Sequence, residues 1–137
     1  MATYFADTWF WVATSDERDN GHHRAVDLSN AIGLADRIVT SEMVMIELLA
    51  YFSGEGVHMR EVAADLVDSL KNNSQVTIVA QSHRQFERAF KRYRQYSDKD
   101  WSLTDCASML IMTERYIQTA LTNDRHFVQA GFSIRND

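Results

Sequence analysis

Three features of the chain predict an α/β fold, with a central, mainly parallel sheet flanked by helices on both faces. Short β-branched or aromatic runs alternate with longer stretches of helical periodicity. The connections between them are short, and acidic residues stand where the strand-like runs hand over to helices. At 137 residues, 45% hydrophobic and 24% charged, the sequence fits one globular domain over 1–137 that buries a core without cross-links.

Tyr4-Phe5-Ala6 reads as a short buried strand, central because it begins the chain, closed by Asp7 and a turn-favouring Thr8. From about Asp16 to Ile32, Ala25, Leu28 and Ile32 recur at helical spacing, and Gly33 stands where a C-terminal glycine cap belongs. Arg37 to Thr40 forms a second strand, and Ser41 is a natural N-cap for a helix through Phe52 toward Gly54 and Gly56. Met59, Val62, Ala63, Leu66, Val67 and Leu70 follow the i, i+3, i+4, i+7 rule, which gives a third helix ending at Asn72-Asn73. Val76 to Val79 is a third buried strand, and a strongly basic helix follows it. After the polar break at Asp98 to Asp100, Ser102 caps a helix to about Tyr116, with Trp101 and Cys106 spaced as a hydrophobic staple. Thr119 to Leu121 is a fourth strand, Asp124 to Gln129 a short helix, and Phe132 to Ile134 an edge strand.

Composition excludes several classes. Cys106 is the single cysteine, so no internal disulfide and no C-x-x-C zinc or redox motif can form, which fits a reducing cytoplasm. The start of the chain lacks the basic segment and long apolar run of a signal peptide, and no segment reaches the length of a membrane span. A net charge of −5 argues against nucleic-acid binding by bulk electrostatics. Positive charge is nonetheless concentrated between His83 and Arg94. There Phe86, Ala89, Phe90 and Tyr93 read as a buried stripe, with Arg84, Arg88, Lys91 and Arg92 sharing the other side. If that side borders a pocket, it guides the phosphates of a bound ligand; otherwise it is an ordinary solvated face. No P-loop, Rossmann glycine fingerprint or D-x-D motif occurs. His22 and His23 read as loop residues and His126 as a surface residue.

Asp7, Glu47, Asp105 and Asp124 form the candidate site. Each lies near a strand-to-helix junction or in the early turns of a helix, among apolar or small neighbours. Ligands of a parallel sheet bind beyond the carboxyl ends of its strands, where strand order reverses, and Asp7 and Asp124 both lie at such ends. Around Glu47 the positions three and four away are Met43, Val44, Ala50 and Tyr51, which puts its carboxylate in a buried stripe. Each residue also has a purely structural reading. Asp7 could close a turn, Asp124 could N-cap a helix, Ser102-x-x-Asp105 could be a capping box, and Glu47 could hold a core salt bridge. A shared site explains all four at once. Two carboxylates about 4 Å apart repel by roughly 4 kcal/mol at an effective dielectric of 20, so protons or Mg²⁺ or Mn²⁺ must offset the crowding.

The strings DTW at Asp7, TSEMVMIELL around Glu47, DKDWSLTDCAS through Asp105 and ALTNDRHFVQAGF around Asp124 occur in an order that resembles the PIN-domain nucleases, over essentially the whole chain. Among these the sequence is most similar to the VapC-type toxins of toxin-antitoxin pairs. The resemblance implies a metal-dependent endoribonuclease with Asp7, Glu47, Asp105 and Asp124 as its acidic tetrad, supported through hydrogen bonds by Ser102 or Thr8. It also implies inhibition of translation by cutting a structured RNA, a cognate antitoxin protein and a homodimer. Two alternatives stand beside it: a PIN-like interaction module without catalysis, and a Mg²⁺-dependent phosphohydrolase acting on DNA or a small phosphoester.

Overall fold

Five short strands, β1 (Thr3–Ala6), β2 (Arg37–Ser41), β3 (Val76–Val79), β4 (Thr119–Leu121) and β5 (Ser133–Arg135), pair in the order β3-β2-β1-β4-β5. They are seen in a computed structural model that describes residues 1–137. All four ladders are parallel, with Phe5 of β1 opposite Val39 on one side and Ala120 on the other. Between the strands lie α1 (Thr8–Ser15), α2 (His22–Ala31), α3 (Glu42–Phe52), α4 (Val57–Lys71), α5 (His83–Gln95), α6 (Leu103–Glu114) and α7 (His126–Gln129).

The chain builds outward from β1 to β2 and β3, then returns to lay β4 against the other side of β1. Right-handed crossovers therefore put α1 to α4 on one face of the sheet and α5 to α7 on the other. The direction of winding reverses between β1 and β4, which opens a crevice at the carboxyl ends of those two strands. β1 is central, as its position at the start of the chain predicts.

Phe5 and Leu121 of the sheet are fully buried with Leu28, Val44, Leu48, Phe52, Met109, Met112 and Phe127 of the helices. Trp11 donates its indole N–H to the Thr40 hydroxyl at 3.3 Å, and that hydroxyl donates to the Ala6 carbonyl at 2.9 Å, so the polar atoms beside β1 are satisfied. Ser41 caps α3 as predicted, its side chain accepting the Val44 N–H at 3.1 Å. Trp101 and Cys106 are both buried at the start of α6, in agreement with a staple.

Several elements differ from the sequence reading. Thr8 opens a helix instead of closing a turn, because TWFWVATS is apolar nearly all round and shows no period of 3.6. The helix expected from Asp16 begins only at His22, so His22 and His23 are helical and not in a loop. Asp16 and Asp19 explain the delay: their carboxylates accept the N–H of Arg18 at 3.0 Å and of Gly21 at 2.7 Å, closing turns that compete with helix. Gly33 is no left-handed cap; its N–H donates to Asp36 at 2.9 Å, and the positive-φ glycines are Gly56 and Gly131. The last helix starts at His126, two residues later than predicted, and the edge strand is shifted by one residue.

On α3 the inward stripe is Val44, Met45, Leu48 and Phe52, while Ile46 is 60% exposed. Leu48→Ala is expected to cost about 2–5 kcal/mol and Ile46→Ala about 0.5 kcal/mol or less. Urea denaturation of the two variants checks this, and equal midpoints would contradict the assigned stripe.

Candidate functional site

β1 delivers Asp7 to the crevice, where its N–H donates to the Leu121 carbonyl of β4 at 3.3 Å. Asp7 has extended backbone and immediately precedes α1, yet its side chain does not cap that helix. Instead, Oδ2 accepts the Thr122 hydroxyl at 2.9 Å, and the same hydroxyl oxygen accepts the Asp124 N–H at 3.0 Å. One buried threonine thus fastens the ends of β1 and β4 and orients two of the four predicted carboxylates.

Burial pushes the Asp7 carboxyl up to about 7. The Thr8 N–H and the Thr122 hydroxyl work against that rise, and the nearby charges of Asp105 and Glu47 add to it. Asp105 is brought to the same place by α6. Ser102 and Asp105 form a reciprocal capping box: Asp105 N–H donates to Ser102 Oγ at 3.0 Å, and Ser102 N–H donates to Asp105 Oδ2 at 3.0 Å. The structural reading of Ser102-x-x-Asp105 is therefore correct, and it is also what aims the buried carboxylate into the crevice.

His126 completes the cluster and, like Thr122, was not assigned to the site from the sequence. Its Nδ1 lies 3.0 Å from Asp105 Oδ2 and 3.2 Å from Asp124 Oδ1, and its backbone N–H donates to Asp124 Oδ1 at 2.9 Å. Oxygen or nitrogen atoms of Asp105, Asp124 and His126 all fall within 4.8 Å of one another. Burial alone would lower the His126 pKa, but the Asp105 hydrogen bond and the charges of Asp124, Asp105 and Asp100 reverse this and raise it. The available signal was its place two residues after Asp124, just beyond β4. Asp124 does not N-cap α7 in the usual sense; it closes a turn onto the His126 N–H.

Glu47 corrects the sequence reading. It is exposed, not in a buried stripe, and no core salt bridge holds it. Its Oε1 accepts the hydroxyl proton of Thr8, the residue after Asp7, which keeps it at the rim of the crevice. The apolar neighbours misled because α3 is apolar on two faces: Val44 and Leu48 point inward, while Leu49 and Tyr51 face outward.

The basic helix α5 is also rotated from its predicted orientation. Of the expected stripe only Ala89 is buried, and Phe86, Phe90 and Tyr93 are exposed. Arg92 lines one groove with Arg88 and Lys91 but is less exposed than either. It turns inward, with its guanidinium 4.8 Å from the Tyr96 ring centre and 5.1 Å from that of Trp101. Arg88 forms an ion pair with Glu114. Cation–π contacts let a cation occupy the inward position that an apolar residue was expected to fill.

A family model for the PIN domain matches residues 4–133. No curated protein matches the chain. Among solved structures, the chain is similar to VapC20 of Mycobacterium tuberculosis, described as a sarcin-ricin-loop-cleaving toxin. The two share 24% identity over 98% of this chain and 99% of that one, with a TM-score of 0.86. It is also similar to FitAcB of Neisseria gonorrhoeae, with 16% identity over 97% of this chain and 96% of that one and a TM-score of 0.68. VapBC2 of Rickettsia felis, solved with a promoter DNA fragment, gives 16% identity over 98% of both chains and a TM-score of 0.64.

The raised Asp7 pKa has a definite sign in metal-free protein. The folded state keeps the proton up to about pH 7, whereas the unfolded chain releases it near 3.8, so stability falls as pH rises through that window. Asp7→Asn is expected to flatten the fall and raise the urea midpoint at pH 8 while changing it little at pH 4. A parent protein that is equally stable at both pH values, with chelator present, would contradict the assignment.

Proposed function

The chain belongs to the PIN-domain family, and from that premise we propose that it is a metal-dependent endoribonuclease of the VapC toxin type that hydrolyses RNA phosphodiester bonds. The observation that carries the reading is the convergence of Asp7, Asp105, Asp124 and His126 at the β1/β4 crevice. The ion pairs of that cluster are both made with His126, so most of its negative charge is left for a cation. The carboxylate oxygens of Asp7, Asp105 and Asp124 are donors of the kind Mg²⁺ or Mn²⁺ takes.

In this reading Asp7, Asp105 and Asp124 would hold the ion, with Glu47 at the rim of the same crevice. A bound divalent ion would supply Lewis acidity at the phosphodiester and a lowered pKa for the attacking water. Glu47, exposed and oriented by Thr8, is the carboxylate that water reaches and takes its proton. Ser102 and Thr122 fix the rotamers of Asp105 and Asp7, so the carboxylates need no rearrangement when substrate arrives. Arg84, Arg88 and Lys91, exposed along α5, track phosphates, and Arg92 supports α5 from inside.

The similarity to a toxin that cleaves the sarcin-ricin loop supports a structured RNA as target. Inhibition of translation, neutralisation by a cognate antitoxin, a homodimer and a cytoplasmic site of action belong to the same proposal. No helix is long and apolar enough to cross a membrane.

Purified protein with Mg²⁺ is expected to cut cellular RNA at discrete sites, and chelator, Asp7→Asn or Asp105→Asn to abolish cutting. Thr122→Val should reduce the rate about 10- to 100-fold through the lost hydroxyl contact. Gel analysis of the products reads all four, and cleavage of DNA in place of RNA would refute the substrate assignment. Arg88→Ala with Lys91→Ala is expected to weaken RNA binding and shallow its salt dependence by up to two ions. An unchanged slope in a salt titration would remove these residues from the interface.

A further inference from the structure

We propose that the exposed aromatic row of α5, Phe86, Phe90 and Tyr93, is a stacking platform for unpaired bases of the RNA and leads them into the acidic cluster, an inference that rests on the ribonuclease reading above. These side chains are 37%, 42% and 50% exposed, on a helix whose inward contacts are made by Ala89, Arg92 and Tyr96. A helix selected for stability alone would carry polar residues there. The Phe86 and Phe90 rings are stacked, with centres 6.3 Å apart and planes 29° from parallel.

Charge complementarity identifies the occupant. The Arg94 guanidinium lies over the Phe90 ring, 5.2 Å from its centre, so a cation is built into the aromatic row. Phe90 and Tyr93 form one wall of a groove of about 610 Å³ that also contains Arg94 and Lys99, with Asp100 its one carboxylate. The groove is also lined by Ser102, the residue whose hydroxyl and backbone N–H bond to Asp105. Aromatic faces interleaved with cations, on a chain whose net charge is −5, match a polyanion that carries its own flat rings. Continuity with Ser102 gives the bound strand a direction toward the carboxylates.

The test is fluorescence anisotropy of a labelled, unstructured oligoribonucleotide of roughly a dozen nucleotides with the full chain, Ca²⁺ replacing Mg²⁺. The double variant Phe90→Ala, Tyr93→Ala is expected to bind at least about tenfold more weakly under conditions where circular dichroism shows it as fully folded as the parent. Phe90→Trp should restore affinity and add indole emission that RNA quenches. If the double variant binds and cuts RNA like the parent, the platform is refuted and the ribonuclease stands. If it keeps its RNA affinity but changes oligomeric state on size exclusion, the row is a protein interface and the platform is equally refuted. A parent that neither binds nor cuts RNA would overturn the ribonuclease reading and the platform with it.

Discussion

A single buried hydroxyl ties the Asp7 carboxylate to the backbone at Asp124. Thr122 donates to Asp7 and accepts from the Asp124 backbone, and it lies where the winding of the sheet reverses. Carboxylates crowded in a poorly solvated crevice would otherwise turn away from one another or draw in water. The short ladder between β1 and β4 and the capping box of α6 act with Thr122 to prevent this. The local geometry that terminates a strand and starts a helix is therefore the same geometry that gathers negative charge.

The His126 imidazole lies between Asp105 and Asp124, and its hydrogen bond to Asp105 and the charges of both carboxylates raise its pKa. Asp7, which lacks such a partner, stays protonated to about pH 7 instead. The site gives up stability to keep its donors in place, as expected where a ligand rather than a protein group is meant to complete the electrostatics.

α5 makes the opposite exchange. Arg92 enters the protein and rests on Tyr96 and Trp101, leaving its Nε without a hydrogen-bond partner, while three aromatic residues are left in solvent. Conventional amphipathicity would reverse both choices. Trp101 in turn donates to Gln129 at 3.0 Å and precedes the Ser102 cap, so the inward arginine braces the segment that positions Asp105.

The amino-acid sequence by itself determined the strand positions, the Ser41 and Ser102 caps, the amphipathic α4 and the junctions carrying Asp7 and Asp124. Each depends on neighbours within a few residues, where side-chain period and capping chemistry act directly. α1 was illegible because a helix packed on most of its circumference has no polar face to reveal its period. Only the tertiary structure decided which way α3 and α5 face, so the exposure of Glu47 and the burial of Arg92 could not be read from spacing. When a helix carries two apolar faces, or a cation that an aromatic cage can accept, packing partners from distant parts of the chain choose between them. The same holds for Thr122 and His126, whose partners include residues up to 115 positions away and exist only once β4 has docked on β1.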